Sequence, residues 1–381
     1  MGPESCAFNS VLAAAIYAPS GDNTQPWRFV IDPSGERIAL QVDETRDPSP
    51  MNAGQRMARI AVGAALENLF RAAGGHGWTA ELEAASPPDL AMVRLTRRGV
   101  GGGGVEAITA RVTNRRLYDR RPVPTEALEQ LRRETPTLDG VSTHWIIERD
   151  RLKSLADLIG CADALMFGEP SMRRAFLSKV RFDVPPTEEV SEGLSLGSLE
   201  LSGIDRLALQ FMSRIPDRVL KVAGAGRVFA AKARQLVESA SGLCLVVAPD
   251  SAEGTDLRVG RAMQRAWLAL TDGGFAAQPM MSLLVLENAL EYGNPPLIAS
   301  LGLDRVAALC QRFRGLMPEL GDGRPAFLLR FGFAPAPRGR TGRLSPSAVT
   351  ASASPGGLLD TARSPLEPTS GDGSNPDTRA R

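Results

Sequence analysis

The sequence predicts a protein of the α+β class, because amphipathic helices and short buried strands occur in the same chain. Segments 53–73 and 257–271 carry apolar residues at helical spacing. Short apolar runs at 29–31 and 38–42 flank the turn sequence Asp-Pro-Ser-Gly at 32–35, a pattern typical of an antiparallel hairpin. We therefore expect long helices packed against sheets.

Later strands and a segment of different character follow. Apolar runs at 141–147, 243–248 and 327–333 have the length and composition of buried strands. Residues 182–230 are punctuated by Ser, Gly and Pro as far as Leu201 and then become amphipathic. This segment interrupts the helix and strand pattern on either side, so we treat it as an insertion.

The organisation of the chain is marked by glycine and by a change of composition. A helix or strand in the run Gly-Val-Gly-Gly-Gly-Gly would cost much backbone conformational entropy. The run therefore predicts a linker at 99–105. It separates an abbreviated first half, 1–98, from a second half, 106–335, which carries the insertion. From 336 to 381 Pro, Ser, Gly, Thr and Arg dominate, which predicts a disordered tail.

The composition limits the classes of partner and the cellular location to be expected. A net charge of +1 over 381 residues gives no reason to expect nucleic acid or a membrane surface as partner. No apolar run approaches the roughly 20 residues of a membrane span, and no secretory leader is evident, so a cytoplasmic protein is expected. Arginine accounts for most of the 44 basic residues, as in proteins from GC-rich bacterial genomes.

Histidine and cysteine are too few and too scattered for several classes of site. The two histidines, His76 and His144, exclude a histidine metal cluster and argue against a Ser-His-Asp triad. The four cysteines show no C-x-x-C spacing, so no metal site or redox pair is expected. An enzyme whose cofactor carries the electron chemistry remains compatible with this composition.

The most informative segment is A-P-S-G-D-N-T-Q-P-W-R-F at 18–29. Each amide, at Asn23 and Gln25, can donate and accept hydrogen bonds, as the pyrimidine edge of a flavin ring requires. Prolines at 19 and 26 restrict the loop, whereas Gly21 permits an unusual turn. An ordinary turn between a helix and a strand is the alternative for the individual dipeptides.

The full string resembles the first conserved loop of the nitroreductase-like FMN proteins, A-P-S-x-x-N-x-Q-P-W-x-F. A second stretch, R-V-T-N-R-R-L-Y-D-R-R-P-V-P at 111–124, resembles the arginine-rich segment that supplies phosphate-binding residues in that family. In ordinary members this segment opens the domain, whereas here it follows the flavin loop. That order is similar to the long, two-half Acg-type branch, and the resemblance covers about 8–343.

The resemblance implies a nitroreductase-like fold, with antiparallel or mixed sheets flanked by helices. Two related halves in one chain would mimic the usual dimer and hold one FMN at their junction. The chain would then be a pseudo-dimeric monomer or a homodimer. The implied FMN contacts are Ser20, Asn23, Gln25, Arg111, Arg115, Arg116, Gly273, Gly274, Arg340 and Arg343.

These contacts have different implied roles. The first three would hold the flavin ring, and the arginines of the second stretch would anchor the phosphate. The backbone at Gly273 and Gly274 would approach flavin N5, with a helix C-cap as the alternative. Arg340 and Arg343 are further phosphate candidates, with a solvated basic run as the alternative.

The implied function is an FMN-dependent oxidoreductase that transfers hydride through flavin N5 by a ping-pong mechanism. NAD(P)H is the expected electron donor, a small organic molecule is the expected substrate, and the reverse direction fits the same residues. No side chain is assigned as a catalytic acid or base, because the flavin carries the chemistry. The alternative is a non-enzymatic FMN-sequestering protein with the insertion, 182–230, closed as a lid; a peripheral helical hairpin is the simpler reading of that segment.

Overall fold

Two sheets, each flanked by helices, form the framework of the chain. The computed structural model describes residues 3–352 except 33, 100, 103, 223 and 294. The helices are α1 Pro3–Ile16, α2 Arg56–Gly75, α3 Glu106–Ala110, α4 Thr125–Glu134, α5 Arg149–Gly168, α6 Pro170–Lys179, α7 Gly203–Met212, α8 Asp217–Val222, α9 Ala225–Glu238, α10 Glu253–Asp272, α11 Ser282–Tyr292, α12 Pro295–Leu301, α13 Leu303–Leu316 and α14 Pro346–Val349.

The strands are β1 Trp27–Ile31, β2 Arg37–Val42, β3 Trp78–Glu83, β4 Ala91–Arg97, β5 Ser142–Ile146, β6 Val180–Arg181, β7 Leu194–Ser195, β8 Gly242–Ala248, β9 Ala276–Pro279, β10 Arg324–Gly332 and β11 Thr350–Ser352. The α+β class predicted from the sequence is confirmed, as is the mixture of antiparallel and mixed sheets. The predicted hairpin is the β1–β2 pair, in which Trp27 lies opposite Val42.

The first sheet has the strand order β11-β1-β2-β4-β3. The edge strand β11 comes from the far end of the described chain. It pairs in parallel with β1, and Thr350 lies opposite Phe29. Val349 just before it is 3% exposed. Residues 346–352 of the predicted tail therefore form a helix and a strand, because they cover an otherwise open sheet edge. Residues 353–381 lie outside the described residues.

The second sheet has the order β5-β8-β10-β9, and every pair in it is antiparallel. All residues of β8 are buried, as expected for a central strand with helices on both faces. The apolar runs predicted at 141–147, 243–248 and 327–333 correspond to β5, β8 and β10. None of the described helices combines the length and apolarity that crossing a membrane would require.

Helices α2 and α10 join the two sheets and approach each other very closely. A Cβ atom added to Gly63 would lie 2.1 Å from the Leu257 carbonyl oxygen, and one added to Gly260 would lie 2.0 Å from that of Ile60. These helices correspond to the predicted segments 53–73 and 257–271. The close approach is possible because both contact positions are glycine.

Polar side chains fix the register of the same helix pair. Asp256 is fully buried and accepts hydrogen bonds from Arg59 at 2.9 Å and from Arg324 at 2.8 Å. Glu67 accepts from Arg261 at 3.0 Å and from Arg265 at 2.6 Å. Buried charges are tolerated only when they are paired, so these contacts fix how one helix lies along the other.

The segment predicted as a linker packs against the turn that follows α2. A Cβ atom at Gly101 would lie 1.8 Å from the Gly75 carbonyl oxygen, and one at Gly77 would lie 2.0 Å from that of Gly99. Positions 100 and 103 lie outside the described residues. The boundary between halves at 99–105 remains a prediction.

We expect Gly260→Ala to lower the free energy of unfolding by about 1–3 kcal/mol, because the new methyl group would overlap the Ile60 carbonyl and force the helices apart. Gly254→Ala in the same helix is the matched control, since no described atom beyond its own stretch of helix backbone lies within 4 Å of its added Cβ. It should be neutral or slightly stabilising. Guanidinium unfolding curves measure both, and equal effects of the two substitutions would contradict the close approach.

Candidate functional site

The loop after α1 has an unusual backbone. Asp22, Asn23 and Gln25 have φ angles of 45°, 57° and 51°, in the left-handed region that favours glycine. Such conformations cost about 1–3 kcal/mol each and persist where the surroundings enforce them. The Ser20 hydroxyl group accepts a hydrogen bond from the Gln25 backbone N–H at 2.9 Å, and Trp27 is buried just beyond. The loop is therefore held in one shape.

The Gln25 side chain is fully buried and bonded to two distant parts of the chain. Its Nε2 donates to the Ser191 carbonyl oxygen at 2.6 Å, and its Oε1 accepts from the Leu344 backbone N–H at 2.9 Å. Ser191 belongs to the insertion, and Leu344 to the segment leading to α14. Gln25 thus connects the loop to both segments.

Asn23 makes a parallel set of contacts. Its Nδ2 donates to the Ser191 carbonyl oxygen at 3.1 Å and to that of Gly342 at 3.3 Å, while its Oδ1 accepts from Arg343 at 3.2 Å. Both amides predicted to face a flavin ring therefore bond to protein groups in this structure. Of the two, Asn23 also lines a neighbouring cavity.

That cavity, here called the arginine cavity, has a volume of about 570 Å³. Its polar lining residues are Ser20, Asp22, Asn23, Arg111, Thr113, Arg115, Glu189, Ser198, Arg340, Thr341 and Arg343. The structure thus unites residues predicted from the flavin loop, from the second stretch and from the segment after β10. The insertion supplies Glu189 and Ser198, which close one side.

Arg111 is buried at the arginine cavity without an acidic partner among its described contacts. Its guanidinium donates to the Tyr17 carbonyl oxygen at 2.9 Å and lies 4.6 Å from the Trp267 ring centroid. Its Nε has no hydrogen-bond partner among the described residues. Burial, together with the nearby charges of Arg343 and Arg340, lowers the pKa of Arg111 well below its usual range. An anion in the cavity would relieve this repulsion.

Arg343 has a structural role as well as a charge. It donates to the carbonyl oxygens of Ile16, Tyr17 and Ala18 at 3.1–3.2 Å, which satisfies groups left unpaired at the end of α1. Burial and the charge of Arg340 lower the pKa of Arg343 to about 10. Arg340 is exposed and donates to the Thr109 carbonyl oxygen.

A second cavity of about 370 Å³, here called the apolar cavity, adjoins the first. The residues lining both cavities are Pro19, Ser20, Asp22, Thr113, Arg115 and Leu194. The large apolar residues around the second cavity are Met51, Met57, Met166, Phe167, Phe176, Phe229, Trp267, Met280 and Met281. Phe167 stacks on Phe229 with ring centroids 4.1 Å apart. A charged compartment and an apolar one thus lie side by side.

Arg115 and Asp22 stand where the two cavities meet. Arg115 is half-buried and donates to the Ser198 carbonyl oxygen at 2.7 Å. Burial lowers its pKa, and burial together with the charge of Asp47 raises the pKa of Asp22 to about 6. Asp22 therefore changes charge near neutral pH.

Four predicted contacts line neither cavity: Gln25, whose bonds are described above, Arg116, Gly273 and Gly274. Arg116 donates to the Ala336 carbonyl oxygen at 3.1 Å. Gly273 is the C-cap of α10, with its N–H bonded to the Ala269 carbonyl oxygen, and Gly274 follows with a φ of 73°. The helix C-cap, the alternative reading of these glycines, matches their geometry.

The sequence reasoning missed several lining residues just beyond these glycines and on α5. Gln278, Met280 and Met281 face the apolar cavity from the end of β9 and the turn after it, and Asp163 faces it from α5. For Gln278, Met280 and Met281, the signal in the sequence was the strand-like segment that follows the Gly273-Gly274 turn. For Asp163 the signal was a single carboxyl group in the otherwise apolar run 158–166.

Comparison with known proteins gives a relative and several structural neighbours. No family model matches the chain. The uncharacterized protein MT1398 of Mycobacterium tuberculosis (strain CDC 1551 / Oshkosh) is 28% identical over 339 residues, which cover 86% of this chain and 46% of that protein. The chain therefore spans about half the length of this curated relative.

Among solved structures, a nitroreductase with bound FMN from Bacteroides fragilis is 13% identical, with 61% of this chain and 88% of that chain covered and a TM-score of 0.32. The FMN-dependent nitroreductase NfnB from Mycobacterium smegmatis is 18% identical, with the same shares covered and a TM-score of 0.31. The FMN and NADPH-dependent nitroreductase NfnB from sphigopyxis sp. strain HMH is 16% identical, with 63% and 96% covered and a TM-score of 0.32.

We expect Gln25→Ala to weaken the attachment of the insertion, because the Ser191 carbonyl and the Leu344 N–H would lose their side-chain partner. The loss should lower the free energy of unfolding by about 1–3 kcal/mol. Hydrogen exchange followed by mass spectrometry should show faster exchange around residues 191 and 344. Gln41→Ala is the matched control, since buried Gln41 of β2 donates to Asp89 and to neither of these segments. Unchanged exchange at both segments would contradict a fastening role.

We expect the free energy of unfolding of Asp163→Asn to increase relative to that of the parent as pH rises. Burial raises the pKa of Asp163 to about 7 from 3.8, so the folded state binds more protons between these values and stability declines across that range. The asparagine variant lacks this decline. Denaturation midpoints at pH 4.5 and pH 8 measure it, with exposed Asp157→Asn on the same helix as control. A difference between variant and parent that is constant with pH would contradict the burial of the charge.

Proposed function

We propose that this chain is an FMN-dependent oxidoreductase of the nitroreductase-like type, from its long, two-half Acg-type branch. The supporting observation is the pair of adjoining cavities, one lined by arginines and one by apolar and aromatic side chains. A phosphate dianion suits the first, since guanidinium groups form charge-assisted bonds with phosphate. A flat heteroaromatic ring suits the second.

The residues present fit FMN on two further counts. The buried Arg111 Nε has no partner among the described residues, and the charges of Arg111, Arg340 and Arg343 repel one another. Both features favour binding of an anion. When bound, FMN would supply two-electron chemistry through N5, with NAD(P)H as donor and a small organic molecule as the other substrate.

In this proposal the chain's own residues bind, orient and exclude water. Arg111, Arg115 and Arg340 would hold the phosphate, while Ser20, which lines both cavities, would border the ring. The apolar side chains of the insertion, including Leu194 and Leu199, would keep water from the reacting face. We infer that one chain encloses one such site between its halves.

We expect Arg115→Ala to weaken FMN binding by about 10- to 100-fold, because a charge-assisted bond to phosphate would be lost. Riboflavin lacks the phosphate, so its affinity should change little. Arg116→Ala, outside the arginine cavity, is the matched control and should retain normal FMN affinity. Fluorescence titration of the apoprotein measures all three. An equal loss for FMN and riboflavin would contradict the phosphate assignment.

A non-enzymatic FMN-sequestering protein is the second candidate. It is favoured by the bonds from Asn23 and Gln25 to Ser191, which fasten the insertion beside both cavities. Anaerobic mixing of the FMN-loaded protein with NADH or NADPH distinguishes the two. Bleaching of the flavin by a nucleotide supports the oxidoreductase, whereas bleaching by dithionite alone supports sequestration.

A further inference from the structure

One wall of the apolar cavity carries a carboxyl group and a hydroxyl group. Asp163 lies on α5 and Ser282 is the first residue of α11, and both line the cavity. Ser282 is 4% exposed, and its Oγ has no hydrogen bond of good geometry to any described residue. A buried hydroxyl group in this position is costly unless a ligand or water completes its bonding.

No positively charged side chain among the described residues pairs with this carboxyl group to hold it ionised. The other ionisable side chains lining the apolar cavity are Asp22, Asp47, Arg115 and Lys232. None of these four contributes to the ionisation of Asp163; burial raises its pKa to about 7, and the neighbouring Ser282 hydroxyl group, which lies near enough to stabilise the carboxylate, opposes this shift. At neutral pH the carboxyl group is therefore protonated in much of the population and can donate an O–H.

The remaining wall selects for an uncharged molecule. Met166 and Phe167 lie on the same helix as Asp163, and Met280 and Met281 immediately precede Ser282. Methionine and aromatic side chains adapt to flat apolar molecules but offer no counter-charge. Two donors on an apolar wall match a single acceptor oxygen on an otherwise apolar ligand.

We propose that Asp163 and Ser282 form a polar subsite that donates hydrogen bonds to the carbonyl-type oxygen of an uncharged, apolar substrate. The assignment of this ligand as a substrate rests on the proposed oxidoreductase function. The binding itself requires only the cavity, so it is testable on protein with or without FMN.

The experiment compares three ligands with one carbon skeleton: acetophenone, ethylbenzene and 1-phenylethylamine. Their affinities for the full chain are measured by ligand-observed NMR at pH 5.5 and pH 8.5, first with FMN and then without it. We expect acetophenone to bind at least about threefold more tightly than ethylbenzene at pH 5.5 and to lose this advantage at pH 8.5, when Asp163 ionises.

Two variants assign the effect to the subsite. Asp163→Asn keeps a donor without the ionisation, so acetophenone affinity should depend less on pH than in the parent; Asp22, whose pKa is about 6, titrates in both chains. Ser282→Ala should weaken acetophenone binding while leaving ethylbenzene unchanged, and Ser154→Ala on the exposed face of α5 is the matched control. Circular dichroism establishes that each variant is folded before it is titrated.

Several results would overturn the proposal. One is equal affinity for acetophenone and ethylbenzene at both pH values; another is a pH dependence as large in Asp163→Asn as in the parent. Tighter binding of 1-phenylethylamine at pH 8.5 would show instead that the carboxylate selects cations. Failure of FMN to bind, with the acetophenone preference intact, would reject the proposed function and leave the subsite standing.

Discussion

The close packing of α2 on α10 is the constraint on which the arrangement of the two sheets depends. Gly63 and Gly260 bring the helix backbones into direct contact, and buried Asp256, paired with Arg59, fixes their register. Because each helix flanks a different sheet, this contact sets how the two sheets lie relative to each other. It also places Trp267 of α10 against Arg111 at the cavities.

Around this helix pair, distant segments close over one loop. The loop at 18–26 holds left-handed residues that local propensity alone would not favour. Its amides are satisfied by Ser191 of the insertion and by residues 342–344, so the loop conformation and the position of both segments are interdependent. A buried amide with complete hydrogen bonding resists separation, because each lost bond leaves a desolvated polar group.

Burial by these segments also determines the pKa values of charged groups at the two cavities. Buried Arg111 lies near the charges of Arg340 and Arg343 in one cavity, while Asp163 in the other has no described cation beside it, and both arrangements disfavour the charged forms. A protein that needed only stability would pair these groups. The unpaired arginine in one cavity and the uncharged wall of the other support the proposed ligand, which has an anionic end and an apolar end.

By itself the sequence determined the α+β class, the hairpin, the long helices and the buried strands, because hydrophobic periodicity reports local burial directly. It also indicated that the loop at 18–29 and the arginines of segment 111–124 contribute to a ligand site. Tertiary structure alone decided that Arg343 and Arg111 line one cavity and that Asp163 and Ser282 line the other. It also decided that Gly273 caps a helix away from the cavities and that β11 completes the first sheet. Periodicity specifies which face of an element is buried, whereas the partner it meets depends on how distant segments pack.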